Sequence, residues 1–460
     1  MIAIPRSAEP LVKCFSGAFT RPTYPRMVFL AVGLIVTFGR RTVAAVLWTM
    51  RGWAEGHSST YHRVFSRAVW SLWALGKILA WIVIASLPKE DAIVVAVDDT
   101  TAQHRGKKVY GKGCHHDAVR STHTHMVWRW GHRWVVLAIL IKFPFARRPW
   151  ALPILVALYK PEALNRQEKH RHKTATFLAQ QLVAALIHWF PTRKFIVLGD
   201  GGYASHEFAR FCHRHARHVT LISRFYPDAA LYEPAPRKKN PIGRSRIKGE
   251  KLPTPQEVVQ GHARISATVS WYGGAVRKIR YVSATGLWYK SGQGLVPVRW
   301  VFVHDAQGTH RDEYFYSTDT ALTPVQIISL FTARWSIEVT FQEMRTHLGF
   351  ETTKQWTPRS VLRMAPVLLG LFTVISLIFA EHVQHHDRFD RHDRFDRHRL
   401  PIRRTNWYTK AEPTFSDAIG TVRRLCWEEI LFRKSPFHDA LEKLPAKLRN
   451  LLLDRLSLAA

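Results

Sequence analysis

The chain is poor in cysteine and in acidic residues. Its four cysteines, Cys14, Cys114, Cys212 and Cys426, lie far apart with no Cys-x-x-Cys pair, which excludes a disulfide framework and the usual zinc-finger spacing. Asp plus Glu total 34 against 67 Lys plus Arg, a formal net charge of +33. That imbalance points to a polyanionic partner, and 47% apolar residues with 17 Trp make the chain a globular binder rather than a basic tail. A membrane surface would attract the same charge, but the cations are spread along the whole length, as a long nucleic-acid footprint requires. Long apolar runs are also missing. Residues 27–38, 72–87 and 365–380 are apolar, yet each falls short of the ~20 needed to span a bilayer, so they read as buried helices. The first 18 residues show one Arg and no apolar signal core. The expectation is a reduced, cytoplasmic protein with no membrane partner, and at 460 residues it is too long for a single core.

What is present is organised by acids placed after buried strands. Ala92-Ile93-Val94-Val95-Ala96-Val97-Asp98-Asp99 is a β-branched run ending in carboxylates, and Phe195-Ile196-Val197-Leu198-Gly199-Asp200 repeats the design. Open α/β sheets carry their sites at such C-terminal strand edges. Strand alternation sends Asp98 and Asp99 to opposite faces, so one of them can point into a site.

A third acid falls on a helix. Thr323 can cap it, Pro324 suits its first turn, and no further Pro or Gly occurs before Gly349, which predicts one continuous helix. At about 100° per residue, Phe331, Arg334, Glu338 and Arg345 fall within an arc of roughly 60°. One carboxylate then stands between two guanidiniums, a stripe suited to a metal ion and a phosphate backbone together.

With strand-acid, strand-acid and helix-Glu in that order, the chain resembles the RNase H-like DDE nucleotidyltransferases. In particular it resembles cut-and-paste insertion-sequence transposases of the branch with the helix signature Tyr-x2-Arg-x3-Glu-x6-Lys. Phe331, Arg334, Glu338 and Arg345 stand at those four positions, with Phe for Tyr and Arg for Lys. Asp99-Thr100-Thr101 matches the Thr pair after the first acid, which favours Asp99 over Asp98, and Asp200-Gly201-Gly202-Tyr203 matches the turn after the second. The resemblance covers residues 90 to 350. It implies that Asp99, Asp200 and Glu338 are catalytic and hold two Mg²⁺ ions, with Mn²⁺ able to substitute. It further implies phosphate contacts by Arg334 and Arg345, a DNA contact by Phe331, and a homodimer on double-stranded DNA in the bacterial nucleoid. The activity implied is binding of terminal repeats, cleavage and joining to target DNA. A nuclease without strand transfer and a catalytically silent DNA-binding derivative are the alternatives.

The expected architecture is α/β: an RNase H-like core with a β-rich insertion, flanked by helical N-terminal and C-terminal segments. Residues 1–88 read as helical, and the Gly52–Gly56 break before Ser58-Ser59-Thr60-Tyr61-His62-Arg63 resembles a helix-turn-helix, nominating Thr60, Tyr61 and Arg63 as DNA contacts. A helical bundle that merely packs on the core fits the same pattern. The core would comprise 89–224 and 321–384, with the insertion at 225–320. After Asp99, a glycine-punctuated loop offers Lys107, Lys108 and Lys112 to phosphates. Residues 123–130 and 134–141 look like strands paired around Gly131. Cys114, His115, His116, His123, His125 and His132 match no closed metal-site spacing. A basic stretch follows at 237–249, and Trp288 and Trp300 are candidates to stack on a flipped base, with strand packing as the plainer role. The duplicated hexapeptide of 387–398 belongs to a charged linker, 385–405, before a helical tail at 406–460.

Overall fold

The computed structural model describes residues 4–116, 121, 122, 124–236, 246–389, 402, 407, 410–432 and 438–458. Residues 237–245 of the basic stretch and most of the duplicated hexapeptide and its linker lie outside them.

The N-terminal part is helical: α1 (Thr23–Val36), α2 (Val43–Thr49), α3 (Ser58–Ser66) and α4 (Leu72–Ala85). A mixed sheet follows, beginning with β1 (Ile93–Gln103), β2 (Gly113–His116), β3 (Trp128–Ile141), β4 (Trp150–Tyr159), β5 (Phe195–Gly199) and β6 (Val219–Arg224). Two helices are interleaved, α5 (Ala175–Trp189) before β5 and α6 (His206–Arg214) before β6, each started by a hydroxyl cap from Thr174 or Ser205. β1 is antiparallel to β3 and parallel to β5, β4 is antiparallel to β3, and β6 is parallel to β5. The apolar runs explain this placement. Ile93, Val95, Ala96, Val97, Val197 and Leu198 are almost fully buried, as strands covered on both faces must be.

The β-rich stretch continues the same sheet. β7 (Leu231–Tyr232), β8 (Ile265–Ser270), β9 (Val276–Lys290), β10 (Gly294–Asp305) and β11 (Glu313–Ser317) join it through antiparallel pairing of β11 with β6. Trp288 and Trp300 are buried among these strands, so both are packing residues and neither is open to a flipped base.

Gly131 corrects one expectation. β3 runs straight through it as a single strand, paired with Gln103 on one side and Gly113 on the other. The glycine serves close approach rather than a turn, because a Cβ there would stand 2.1 Å from the Ala102 carbonyl oxygen.

The expected continuous helix is divided into α7 (Pro324–Ala333) and α8 (Ser336–Leu348). Its ends are as the caps predict: Thr323 and Gln326 form a reciprocal capping box, and Gly349 closes α8 at φ 57°. In between, the Arg334 N–H donates to the Phe331 carbonyl at 3.1 Å, and the Trp335 N–H donates to that of Thr332. This tighter winding divides the helix without removing Phe331 from the arc: the Arg334 guanidinium still lies 5.7 Å from the Phe331 ring centroid.

α9 (Pro358–Phe389) is longer than the sequence suggests. Its Pro358–Gln384 portion is long and apolar enough to cross a membrane, but 61% of its most apolar stretch is buried in the fold. It lies across β4, with the Thr373 hydroxyl donating to the Pro153 carbonyl at 2.7 Å. α10 (Phe415–Phe432) packs against α9 and α1. Buried arginines bind these layers by donating to carbonyls at helix ends, where acceptors are otherwise unused. Arg41 reaches His347 of α8 at 2.9 Å, Arg363 reaches Phe65 of α3 at 3.1 Å, and Arg423 reaches Ile35 of α1 at 2.6 Å. The N-terminal helices are thus fastened to the sheet and to α8.

Gly131→Ala should lower stability by about 1–3 kcal/mol, the usual cost of overpacking. The urea midpoint of the full chain reports it, and an unchanged midpoint would show that β3 can shift to make room.

Candidate active site

The parallel ladder between β1 and β5 ends at the pair Val97 and Gly199. The next residue on each strand is an acid, so Asp98 and Asp200 stand side by side at the C-terminal edge on the same face. Asp200 caps the short turn Gly201–Tyr203 by accepting from the Gly202 N–H at 2.9 Å, and its carbonyl accepts from the Ser223 hydroxyl at 2.8 Å.

Arg334 closes the arrangement from α7 and α8. Its Nη1 donates to Asp98 Oδ2 at 2.8 Å and its Nη2 to Glu338 Oε1 at 2.8 Å. Arg334 is 6% exposed, so its contact with Asp98 is shielded from water, whereas Glu338 reaches it from a side open to solvent. The Arg334 Nε, also buried, has no hydrogen-bond partner among the described residues. Burial pushes the Asp98 carboxyl up to about 8, against the pull of Arg334 and with further upward pressure from Asp200 and Asp99. Asp98, Asp200 and Glu338 thus surround one cation, while among the described residues no three metal-capable side chains already converge on a common point.

Asp99 lies on the opposite face. Arg133 grips it with two parallel bonds, Nε to Oδ2 at 2.6 Å and Nη2 to Oδ1 at 2.7 Å, and the fully buried Tyr203 hydroxyl lies 3.4 Å from Oδ1. The structure brings Asp98, rather than Asp99, to Glu338 and Arg334. The Thr pair does not decide between them, since Thr100 shares the face of Asp98 and Thr101 that of Asp99. Nothing in the sequence marked Arg133, which meets Asp99 only through strand pairing.

Arg345 lies along the same face as Asp98. It donates to the Thr100 hydroxyl, to the Thr101 carbonyl at 3.3 Å, and pairs with Glu351 at 3.4 Å. Phe331 does not: it is 1% exposed and stacks on Phe315 with centroids 4.0 Å apart, so it is a core residue and not a DNA contact. Lys107 and Lys108 are exposed in the loop after β1, and Lys112 donates to the Gly106 carbonyl while covering the Trp130 ring.

The N-terminal candidates separate. Arg63 is exposed on α3, and the Thr60 hydroxyl donates to the His57 carbonyl at 2.7 Å. Tyr61 is buried against Phe29, and its hydroxyl donates to the Glu55 carbonyl at 3.0 Å, so it is corrected to a core residue. Among the histidines, burial first, then nearby cations, pushes His104 and His115 down to about 4, leaving both neutral near pH 7. His123 lies outside the described residues.

Residues 14–278 match the family described as DDE superfamily endonuclease. Residues 295–376 match a second family, described as "Archaeal putative transposase ISC1217". Asp98 and Asp200 fall in the first span and Glu338 in the second. Among solved structures, the chain is similar to a cryo-EM structure of a piggyBac transposase synaptic complex with hairpin DNA, at 9% identity and a TM-score of 0.38, over 99% of this chain and 82% of that one. No curated protein matches.

Two outcomes follow from this geometry. Phe331→Ala should destabilise the chain by about 3–5 kcal/mol, as for other large buried aromatics, which denaturant unfolding measures; a change within error would place Phe331 outside the core. The second concerns pH. With Asp98 raised to about 8 when folded, against an ordinary carboxyl near 4, the native state holds a proton that the unfolded state releases. Its contribution is complete below about pH 4 and is lost as pH rises through about 8. In chelator-containing buffer, wild-type stability minus that of Asp98→Asn should therefore fall across that window; a difference that is flat or rises would show that Asp98 is ionised throughout.

Proposed function

Because the chain belongs to the DDE superfamily endonucleases, we propose that it is a DNA transposase that cuts and joins DNA at an RNase H-like core, with Asp98, Asp200 and Glu338 as its acids. The observation that carries this reading is that carboxylates 240 residues apart in the chain, Asp98 and Glu338, share one buried guanidinium beside Asp200. The strand order β4-β3-β1-β5-β6, with β3 antiparallel and β5 and β6 parallel to β1, supports the RNase H-like assignment.

The donor set fits a hard divalent cation. Three carboxylates offer only oxygen, which Mg²⁺ and Mn²⁺ prefer, and a cationic guanidinium already stands between two of them. Asp98, Asp200 and Glu338 would hold the metal, whose chemistry is to activate water or a 3'-hydroxyl and to stabilise the leaving oxygen. Arg334 holds Asp98 and Glu338 at a fixed separation before DNA arrives. The forked group of Arg345 is a donor for the backbone beside the scissile phosphate. Arg133 and Tyr203 anchor Asp99 behind the strand and so fix the direction of Asp98 in front of it. Exposed Arg63 and the Lys107–Lys108 loop would extend the contact along double-stranded DNA. An element has two ends, so the active form is a homodimer bridging them.

Cleavage of a supercoiled plasmid bearing the element ends, in Mg²⁺ or Mn²⁺, tests this. Asp98→Asn, Asp200→Asn and Glu338→Gln should each drop cleavage to background while still binding the ends. Asp99→Asn should retain cleavage, lowered about 10–100-fold as is usual for a residue behind a ligand. Full loss in Asp99→Asn with an active Asp98→Asn would overturn the choice of acid, and cleavage by all four would overturn the site.

A further inference from the structure

The register of β1, β2 and β3 places one more feature on the face that carries Asp98. Paired residues of antiparallel strands share a face. Asp98 lies opposite Val136, Thr100 opposite Trp134 and Ala102 opposite His132. Alternation along β3 then carries Trp130 and Trp128 to that face, with Cys114 and His116 beside them from β2. A ladder of rings therefore leaves the acid edge along β3. Its inner rung, Trp134, is buried, whereas Trp128 and Trp130 are each 57% exposed. Two exposed indoles on adjacent rungs of one strand face make a contiguous apolar patch rather than scattered exposure.

Trp356 extends this surface from the segment after α8. Its carbonyl accepts from the Tyr110 N–H at 3.0 Å, and the Tyr110 carbonyl bonds His132 at 2.8 Å, so Trp356 is fixed near the ladder with its ring 61% exposed. Between this segment and the loop after β1 lies a cleft of about 540 Å³, lined by Lys108, Lys354 and Trp356 among others. The acid in its lining, Glu351, is paired with Arg345, the residue that also holds Thr100. Lys112 lies over the Trp130 ring, 5.3 Å from its centroid.

We propose that this face of the β1–β2–β3 finger is a track for unpaired DNA, in which bases of an opened strand stack on Trp128, Trp130 and Trp356 while Lys108, Lys112 and Lys354 follow its phosphates. The proposal rests on the reading of the acid edge as a DNA-cleaving site and specifies the form of DNA that leaves it. Indoles two residues apart on a strand are roughly 6.6–6.8 Å apart, about twice the rise between stacked bases, so each can take the face of a separate base. In a duplex those faces are hidden. Interleaved aromatic rings and lysines are the pattern that binds single strands without regard to sequence. A protein partner would need acids to meet these lysines, and nothing on the track is built to exclude phosphate in its favour.

The test is equilibrium binding of the full chain to labelled oligothymidylate and to a duplex of equal length, in chelator, so that it does not depend on the acids or on cleavage. Combined Trp128→Ala and Trp130→Ala should weaken single-strand binding by about tenfold per indole and leave duplex binding unchanged, and Trp356→Ala should do the same alone. Phe at these positions should restore most of the affinity, since it keeps a stacking face. Equal loss on both DNAs, or no loss on the single strand, would overturn the track. So would a change in oligomeric state on Trp128→Ala and Trp130→Ala with single-strand affinity intact, which would assign the face to protein contact. If single-strand binding behaves as proposed while Asp98→Asn still cleaves, the track stands and the acid assignment fails.

Discussion

The structure depends on one guanidinium. Arg334 joins β1 to the α7–α8 pair by bonding Asp98 and Glu338 at once. Arg334 and Asp98 are buried while Glu338 is open to solvent, so leaving the guanidinium without these acceptors would strand a buried charge, a loss that commonly costs about 3–5 kcal/mol. Together they make a balanced cluster. The tight winding at Arg334 and Trp335 falls at the same place, and Phe331, just before it, stacks on Phe315 in the core.

Around this cluster the two faces of β1 have different duties. In front, Asp98 and Thr100 share the face of the β3 ladder, whose outer rungs Trp128 and Trp130 are exposed, and Arg345 donates to Thr100. Behind, Arg133 and Tyr203 engage Asp99 and hold the strand from the other side. The N-terminal helices add rigidity at a distance: Arg41 donates to the last turn of α8, so that α2's entry segment and the helix carrying Glu338 are fixed together. Function at the acid edge therefore draws on residues from the first fifty to beyond residue 350.

Much of this was legible in sequence because the signals were strong and local. β-branched runs before Asp98 and Asp200 predicted buried strands, and the Thr323 and Gly349 caps predicted the outer ends of α7 and α8. Other features needed the third dimension. Period-two alternation says that Asp98 and Asp99 diverge, but only the Val97–Gly199 register and Arg334 show which one faces Asp200 and Glu338. Gly131 carries the ordinary mark of a turn, yet it sits mid-strand where neighbouring backbone comes too close for a side chain. Tyr61, at the head of α3, has the composition of a groove-reading residue and the burial of a core one. Trp128 and Trp130 resemble any strand aromatics until burial separates them from Trp288 and Trp300.

The central claim is that Asp98, Asp200 and Glu338 form the divalent-cation site. Fe²⁺ bound in place of Mg²⁺, with ascorbate and peroxide, cuts polypeptide next to the metal, and the fragments can be read by mass spectrometry. Three clusters of cuts are expected, around residues 98, 200 and 338, all suppressed by excess Mg²⁺. Cuts confined to the histidines of β2 and β3, or clusters at 98, 200 and 338 that persist in Asp98→Asn, would contradict it.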